Sequence, residues 1–349
     1  VREDPDREGL LYAGTEFGMF ISFDDGAHWQ DFQLNLPATP VTDIKVHQKD
    51  LVLSTMGRSF WILDNVTPLH RINESVTKDS YDLYPPRDAY RMHYRSRSSR
   101  GSARVPEYLE PGVMIDYRLA DTPDENILLE ILDANGNLVR AFTSRPQDVR
   151  LEGLSFDTLK ENLKRVDGPS LPSKPGMNRF FWDMRHAGPW SQRESGRGRG
   201  GPVVAPGIYR AKLIIGDWSH VESFRVLVDP RVVEDGITQA DLVAQESLSL
   251  KVQDMMSMTN RLVERIRKAR ESEGGNRQTR QKLSALYAKL VTASGPYPQP
   301  MLVDQISYLF SMLNRADQKP GRDAYIRFDE LNQELSAYVA EVDKILGDK

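Results

Sequence analysis

The chain has 349 residues, a formal net charge of −4, 28% charged residues and 39% hydrophobic residues. That is the make-up of a folded protein long enough for two or three domains, with no global field favouring nucleic acid. There is no cysteine, which excludes disulfides, thiolate metal ligands and cysteine nucleophiles.

The chain opens "VREDPDREGLLYAGT", without a methionine or a signal-peptide pattern. "LLYAG" already reads as a strand, so the expectation is a C-terminal piece of a longer protein. "LYAGTEFGMFISFDDG" from Leu11 and "LVLSTMGRSFWILDNV" from Leu51 align at an offset of 40. Leu11 meets Leu51, Thr15 meets Thr55, Phe20 meets Phe60 and Asp24 meets Asp64. Each copy reads strand, tight turn, strand, and a period near 40 is the size of one β-propeller blade. Residues 1–66 are therefore expected to be the last blades of a propeller.

Inside the first copy, "SFDDGAHW" sets two adjacent aspartates beside a histidine. In a strand, neighbouring carboxylates point to opposite faces and cannot work as an acid pair. Between two strands, a turn role is expected instead. Asp24 would accept bonds from following amides, Gly26 would take a positive φ, and Trp29 would restart the next strand with its ring over the turn.

Residues 67–110 carry prolines and then a basic, serine-rich run, and read as a linker. Residues 111–232 read as a β-sandwich of immunoglobulin-like size. Its strands are "VMIDYRLA", with Val113, Ile115, Tyr117 and Leu119 on one face, the hairpin around Asn135-Gly136, "NRFFWDM", "GIYRAKLII" and "ESFRVLVD". A short helix, "FDTLKENLKRV", and a glycine- and arginine-rich loop at 191–202 interrupt it. Residues 233–349 read as a helical bundle of four helices. Thr238 is the expected N-cap of the first, with Asp241 three residues on. Met255, Met256 and Met258 are expected as core filling or as a partner-facing stripe. The fold class expected is mainly β with α: terminal β-propeller blades, an immunoglobulin-like β-sandwich and a C-terminal helical bundle.

The spacing S-x-D-x-G-x-x-W, at Ser22, Asp24, Gly26 and Trp29, resembles the Asp-box, the BNR repeat of sialidases and sortilin-type receptors. His28 stands where threonine is commoner, and the second copy keeps only Asp64. "LYAGTEFGMFISFDDGAHW", "NRFFWDMRHAGP" with "APGIYRAKLII", and "MLVDQISYLFSMLNRADQKPGRDAYIRFDELNQEL" resemble the closing blades, following sandwich and helical tail of large bacterial BNR-repeat, sortilin-like glycosyl hydrolases. The resemblance implies a secreted or periplasmic protein and a purely structural Asp-box. It also implies that the acids of any glycosidase lie on other blades, leaving this chain non-catalytic. The partners implied are upstream blades of the same protein and a glycan or protein ligand.

No catalytic residue can be named from the sequence. The histidines at 28, 47, 70, 93, 186 and 220 form no H-x-x-x-H or H-E-x-x-H pair, so neither a metal nor another cofactor is expected. There is no G-x-S-x-G elbow and no phosphate-binding G-x-x-x-x-G-K. "DMRHAGPW" gathers Asp183, Arg185, His186 and Trp190. These residues make either a sugar-stacking, hydrogen-bonding patch or a strand end with a buried tryptophan. The competing function is a sortilin-like binding or assembly module, which requires an exposed apolar patch on the sandwich or the bundle.

Overall fold

A computed structural model describes residues 1–72, 79–93, 109, 111–145, 169–190, 200–271 and 277–347. Among these residues about 33% are helical and 29% are in strands. The fold is thus mixed β and α, with the helices C-terminal, rather than mainly β. The expected helix at 156–166, most of the basic serine-rich run and most of the loop at 191–202 lie outside the described residues.

The N-terminal region forms two small antiparallel sheets. One holds β1 (Arg2–Glu3), β2 (Leu11–Gly14), β3 (Met19–Ser22) and β4 (Gln30–Asp31) in that order. The other holds β5 (Val41–His47), β6 (Asp50–Thr55) and β7 (Phe60–Leu63). The offset of 40 reappears in the local structure. Thr15 Oγ1 donates to Gly18 O in the β2–β3 hairpin at 3.2 Å, and Thr55 Oγ1 donates to Ser59 O in the β6–β7 hairpin at 2.7 Å. Leu10, Tyr12, Met19, Ile21, Ile44, Leu51 and Leu53 bury one shared core between the two sheets. Gly14 is required where they meet, because a Cβ there would lie 2.7 Å from Val41 Cγ1.

Within the stretch expected to be a linker, the described residues 79–93 contribute strands to the sheets. After a 3-10 turn (Thr67–Arg71), β8 (Tyr81–Leu83) pairs with β10 (Val113–Leu119), and β9 (Ala89–Arg91) pairs in parallel with β15 (Trp218–Val228). Period-2 patterning is unreadable in strands of three residues, which is why prolines and charges dominated the reading. With β11 (Ile127–Leu132), β12 (Leu138–Thr143), β13 (Gly176–Trp182) and β14 (Gly207–Ile215), these strands make two further sheets. One is ordered β13-β10-β8, the other β12-β11-β14-β15-β9.

Both sheets contribute to one core that includes Ile115, Tyr117, Leu129, Phe180, Trp182, Leu213 and Phe224. β10 buries Met114 and Asp116 as well as its expected apolar face, so it is covered on both sides. The β11–β12 loop turns as its sequence requires. Gly136 takes φ 86°, and Asp133 Oδ1 accepts the Asn135 and Asn137 amides at 2.8 Å each.

The helices are α1 (Pro230–Glu234), α2 (Gln239–Glu271), α3 (Arg277–Leu290), α4 (Leu302–Leu313) and α5 (Arg322–Leu346). α1 is one turn long and had no periodic signal. α2 starts with the expected cap: Thr238 Oγ1 and Thr238 N both donate to Asp241 Oδ2, at 2.6 and 3.0 Å. Leu248, Val252, Met255, Leu262 and Ile266 face a core shared with Leu286, Ile306, Phe310, Leu331 and Leu335. Met255 belongs to that core, Met256 packs at its margin, and Met258 is exposed.

Candidate functional site

The turn at residues 22–29 joins β3 to β4. Asp24 Oδ1 accepts from Ser22 Oγ at 2.8 Å and from the His28 amide at 2.9 Å, while its Oδ2 meets His28 Nδ1 at 2.6 Å. Ser22 Oγ in turn accepts the Gly26 amide at 2.9 Å. Asp25 and Gly26 hold φ of 58° and 87°, and Asp25 N donates to Gly9 O. It is this left-handed turn, not strand alternation, that sets the two aspartates apart. The Trp29 ring lies beside Gly26, with 40% of the residue exposed.

Serine, aspartate and histidine meet here, but the carboxylate stands between the other two. No imidazole reaches Ser22 Oγ to take its proton, so the set cannot act as a nucleophile relay. Bonds from the His28 amide, the His28 ring and Ser22 hold the Asp24 carboxyl at about 2.

Ser22→Ala is expected to cost about 1–2 kcal/mol, because the buried hydroxyl both donates and accepts within the turn. The support from Asp24 has a defined pH sense. Its folded pKa is depressed, so that support is complete above its ordinary value of 3.8 and is lost as pH falls through about 2. Thermal melts of wild type and Asp24→Asn should therefore converge at the acid end. A gap between them that widens on acidification would overturn this assignment.

The second copy of the repeat does different work. The Arg179 guanidinium donates to Asp64 O at 2.8 Å and Asn65 O at 3.2 Å, and its Nε pairs with Asp116 at 2.7 Å. Asn65 Nδ2 also reaches Asp116 Oδ2 at 3.1 Å. This turn ties the β7 end to the β10–β13 pair. Burial raises the Asp64 carboxyl above its ordinary pKa, with Asp50 adding repulsion.

The residues of "DMRHAGPW" are drawn into internal contacts. Asp183 Oδ1 accepts from Arg140 at 2.9 Å, and Arg185 donates to Gly201 O at 3.1 Å. His186 Nε2 meets Glu246 Oε1 of α2 at 2.6 Å. Trp190 N donates to Ser257 Oγ at 3.0 Å, Asn260 donates to Trp190 O at 2.8 Å, and Arg261 lies over its ring at 5.7 Å. The segment is a strap laid along α2. The fully buried indole is that of Trp182, whose Nε1 donates to Arg185 O.

Three further constellations were not legible in the sequence. Arg91 and the Asp317 side chain, both buried, pair at 3.0 Å; Arg91 also donates to Gln245 at 2.9 Å, and His93 meets Asp317 at 2.8 Å. Burial lowers the Arg91 pKa, against the pull of Asp317. The second is an open groove of about 970 Å³ between α4 and α5, lined by Pro300, Tyr308, Leu309, Met312, Pro320 and Ala324, with charged residues at its rim. Tyr308 is 68% and Met312 43% exposed. The third brings His70 to Asp4 and Asp6, across a sequence separation no local motif spans.

Comparison with known proteins yields little. No family model matches the chain and no curated protein matches it. A solved structure of PorZ, a bacterial surface component of the type-IX secretion system of Porphyromonas gingivalis, covers 62% of the chain at 13% identity and a TM-score of 0.19. The chain covers 29% of that protein. A likeness so slight carries no argument about fold or role.

Proposed function

We propose that the chain is an assembly module that holds a protein partner in the α4–α5 groove and has no hydrolase activity of its own. The observation that carries this reading is the apolar stripe left open on the bundle. Tyr308 and Met312 stand one helical turn apart on α4, and Leu309 floors the groove beside them. A binding module needs such a surface, whereas a soluble helix with no partner places polar residues there.

α4 has 12 residues and so spans ~18 Å, enough for three turns of a docked helix. The occupant we infer is an amphipathic helix of a protein partner, with apolar anchors at i, i+4 and i+7. A glycan is a poorer fit. The residues expected to form a sugar patch, Asp183, Arg185, His186 and Trp190, are engaged with neighbouring strands and with α2.

The wider reading keeps the resemblance as its frame. Residues 1–66 are taken as propeller blades carrying one Asp-box turn. Residues 111–232, joined by strands from 67–110, are taken as an immunoglobulin-like sandwich. Residues 233–349 are taken as the bundle that presents the groove. A secreted or periplasmic setting follows from that resemblance, and no described helix is long and apolar enough to cross a membrane.

The test is a display library of amphipathic helical peptides selected against the whole chain. Selected peptides are expected to lose ~10-fold or more in affinity for Met312→Glu, a substitution at an exposed position that should leave the melt unchanged. Peptides that bind this variant as well as wild type would overturn the groove as the site. Turnover of a glycoside by the chain would overturn the non-catalytic reading.

A further inference from the structure

We infer that Asp4, Asp6 and His70 form a binding site for a divalent transition ion of the zinc or manganese type. One ligand atom from each lies within 4.8 Å of the others. The three come from two separate segments: Asp4 and Asp6 follow β1, and His70 sits on the 3-10 turn at Thr67–Arg71.

Two independent features point to an ion. The first is a buried charge with no permanent cation beside it. The Asp4 side chain is fully buried, and among the described residues its ion-pair partner is His70, at 3.0 Å, with no lysine or arginine within that distance. The Arg7 guanidinium, three residues on, is directed elsewhere: it donates to Leu69 O and to Ile72 O and lies over the Phe23 ring at 5.1 Å. A neutral imidazole brings no charge of its own, so a cation bound beside this carboxylate would offset the cost of its burial.

The second is the geometry of His70. Its Nε2 is buried and lies 3.0 Å from Asp4 Oδ1, but the pair lacks hydrogen-bond geometry and Nε2 has no other hydrogen-bond partner. Two donors bound to one ion at ~2.1 Å and a right angle sit ~3.0 Å apart, each aimed at the ion rather than at its neighbour.

The surroundings suit a ligand set. Tyr12 donates to Asp4 Oδ2 at 2.9 Å and the Asp6 amide donates to Asp4 Oδ1 at 2.9 Å, fixing the carboxylate in place. Outer-shell bonds of this kind orient metal-binding carboxylates. One imidazole and two carboxylates favour zinc or manganese, whereas calcium takes oxygen ligands alone and in larger number. Asp6 is exposed and leaves a side open to water. An ion held here would join the start of β1–β2 to the turn that follows β7, closing the N-terminal sheets on themselves.

The experiment is calorimetric titration of the full chain, stripped with chelator, with Zn²⁺, Mn²⁺ and Ca²⁺ in turn, with a thermal melt at each saturation. The expected result is about one Zn²⁺ or Mn²⁺ per chain, a raised melting temperature, and binding weakened ~10-fold or more in Asp6→Asn. Asp6 is exposed and its substitution should leave the metal-free melt unchanged, so the outcome does not depend on His70→Ala folding. A plain His70–Asp4 ion pair would show no saturable heat with Zn²⁺ or Mn²⁺. That result, response to Ca²⁺ alone, or unchanged affinity in Asp6→Asn would each overturn the inference.

Discussion

Asp317→Ala is expected to destabilise the chain by about 3–5 kcal/mol, the cost of stranding a buried guanidinium. Arg91 enters from β9, an edge strand of the five-stranded sheet, and Asp317 follows α4. Gln245 on α2 completes the junction by accepting from Arg91 and donating to Leu313 O and Ala316 O, at 2.6 and 2.7 Å. Without the carboxylate, Arg91 keeps only a neutral acceptor, and its Nε and Nη1 already lack hydrogen-bond partners.

The junction fastens the sheets to the bundle, so the loss should change cooperativity as well as stability. Denaturation followed by tryptophan fluorescence and by helical circular dichroism is expected to give transitions that separate in the variant. Arg91→Met combined with Asp317→Ala should cost less than the sum of the two single changes, because it removes the stranded charge. A single variant within about 0.5 kcal/mol of wild type would show that the pair does not clamp the two regions.

The parts of the fold legible in the sequence share one property: their signal is local and repeated. Helices of 12 to 33 residues display their apolar period several times over, and the α2 cap needs only Thr238 and Asp241. The strands from Val113 to Leu119 and from Gly207 to Ile215 alternate long enough to be read. β8 and β9 have three residues each and owe their existence to partners far along the chain, β10 and β15. No window centred on residues 81–91 contains that information, so they passed for a linker. Likewise Asp116 looked like an ordinary polar alternation, and its burial follows from Arg179 and Asn65 lying over it.

The site follows the same division. Ser22, Asp24 and Gly26 act within five residues, so their spacing states their contacts. Arg91 with Asp317, and Asp4 with His70, are joined across 226 and 66 positions. Spacing cannot announce them. Asp183, Arg185, His186 and Trp190 stand close together in the sequence, which leaves two readings open, a sugar-stacking patch and a strand end. Adjacent residues in an extended strap reach different neighbours: Asp183 meets Arg140 of β12, Arg185 meets Gly201 O and His186 meets Glu246 of α2.

Trp182→Ala is expected to cost about 3–5 kcal/mol, and Trp190→Ala less than about 1 kcal/mol. Both tryptophans flank the same strap, and the ranking decides what the strap is for. Trp182 is fully buried between Tyr209 and Phe224, with ring centroids at 5.8 and 6.0 Å, so its removal leaves a cavity in a core fed by both sheets. Its Nε1 also holds Arg185 O at 3.1 Å, just where the strap departs from β13. Trp182→Phe keeps most of the ring volume and loses that bond, and should fall about 1–2 kcal/mol below wild type. Trp190 is held through its backbone, by Ser257 and Asn260, so truncating its ring leaves those bonds in place. Urea denaturation of the three variants measures the order. If Trp190→Ala proved the costlier change, the anchor would lie at the α2 end, and the strap would be a helix-borne element resting on the sheets. The expected order instead makes Trp182 the fixed point from which His186 is carried to Glu246, so the sheet core sets where α2 is gripped.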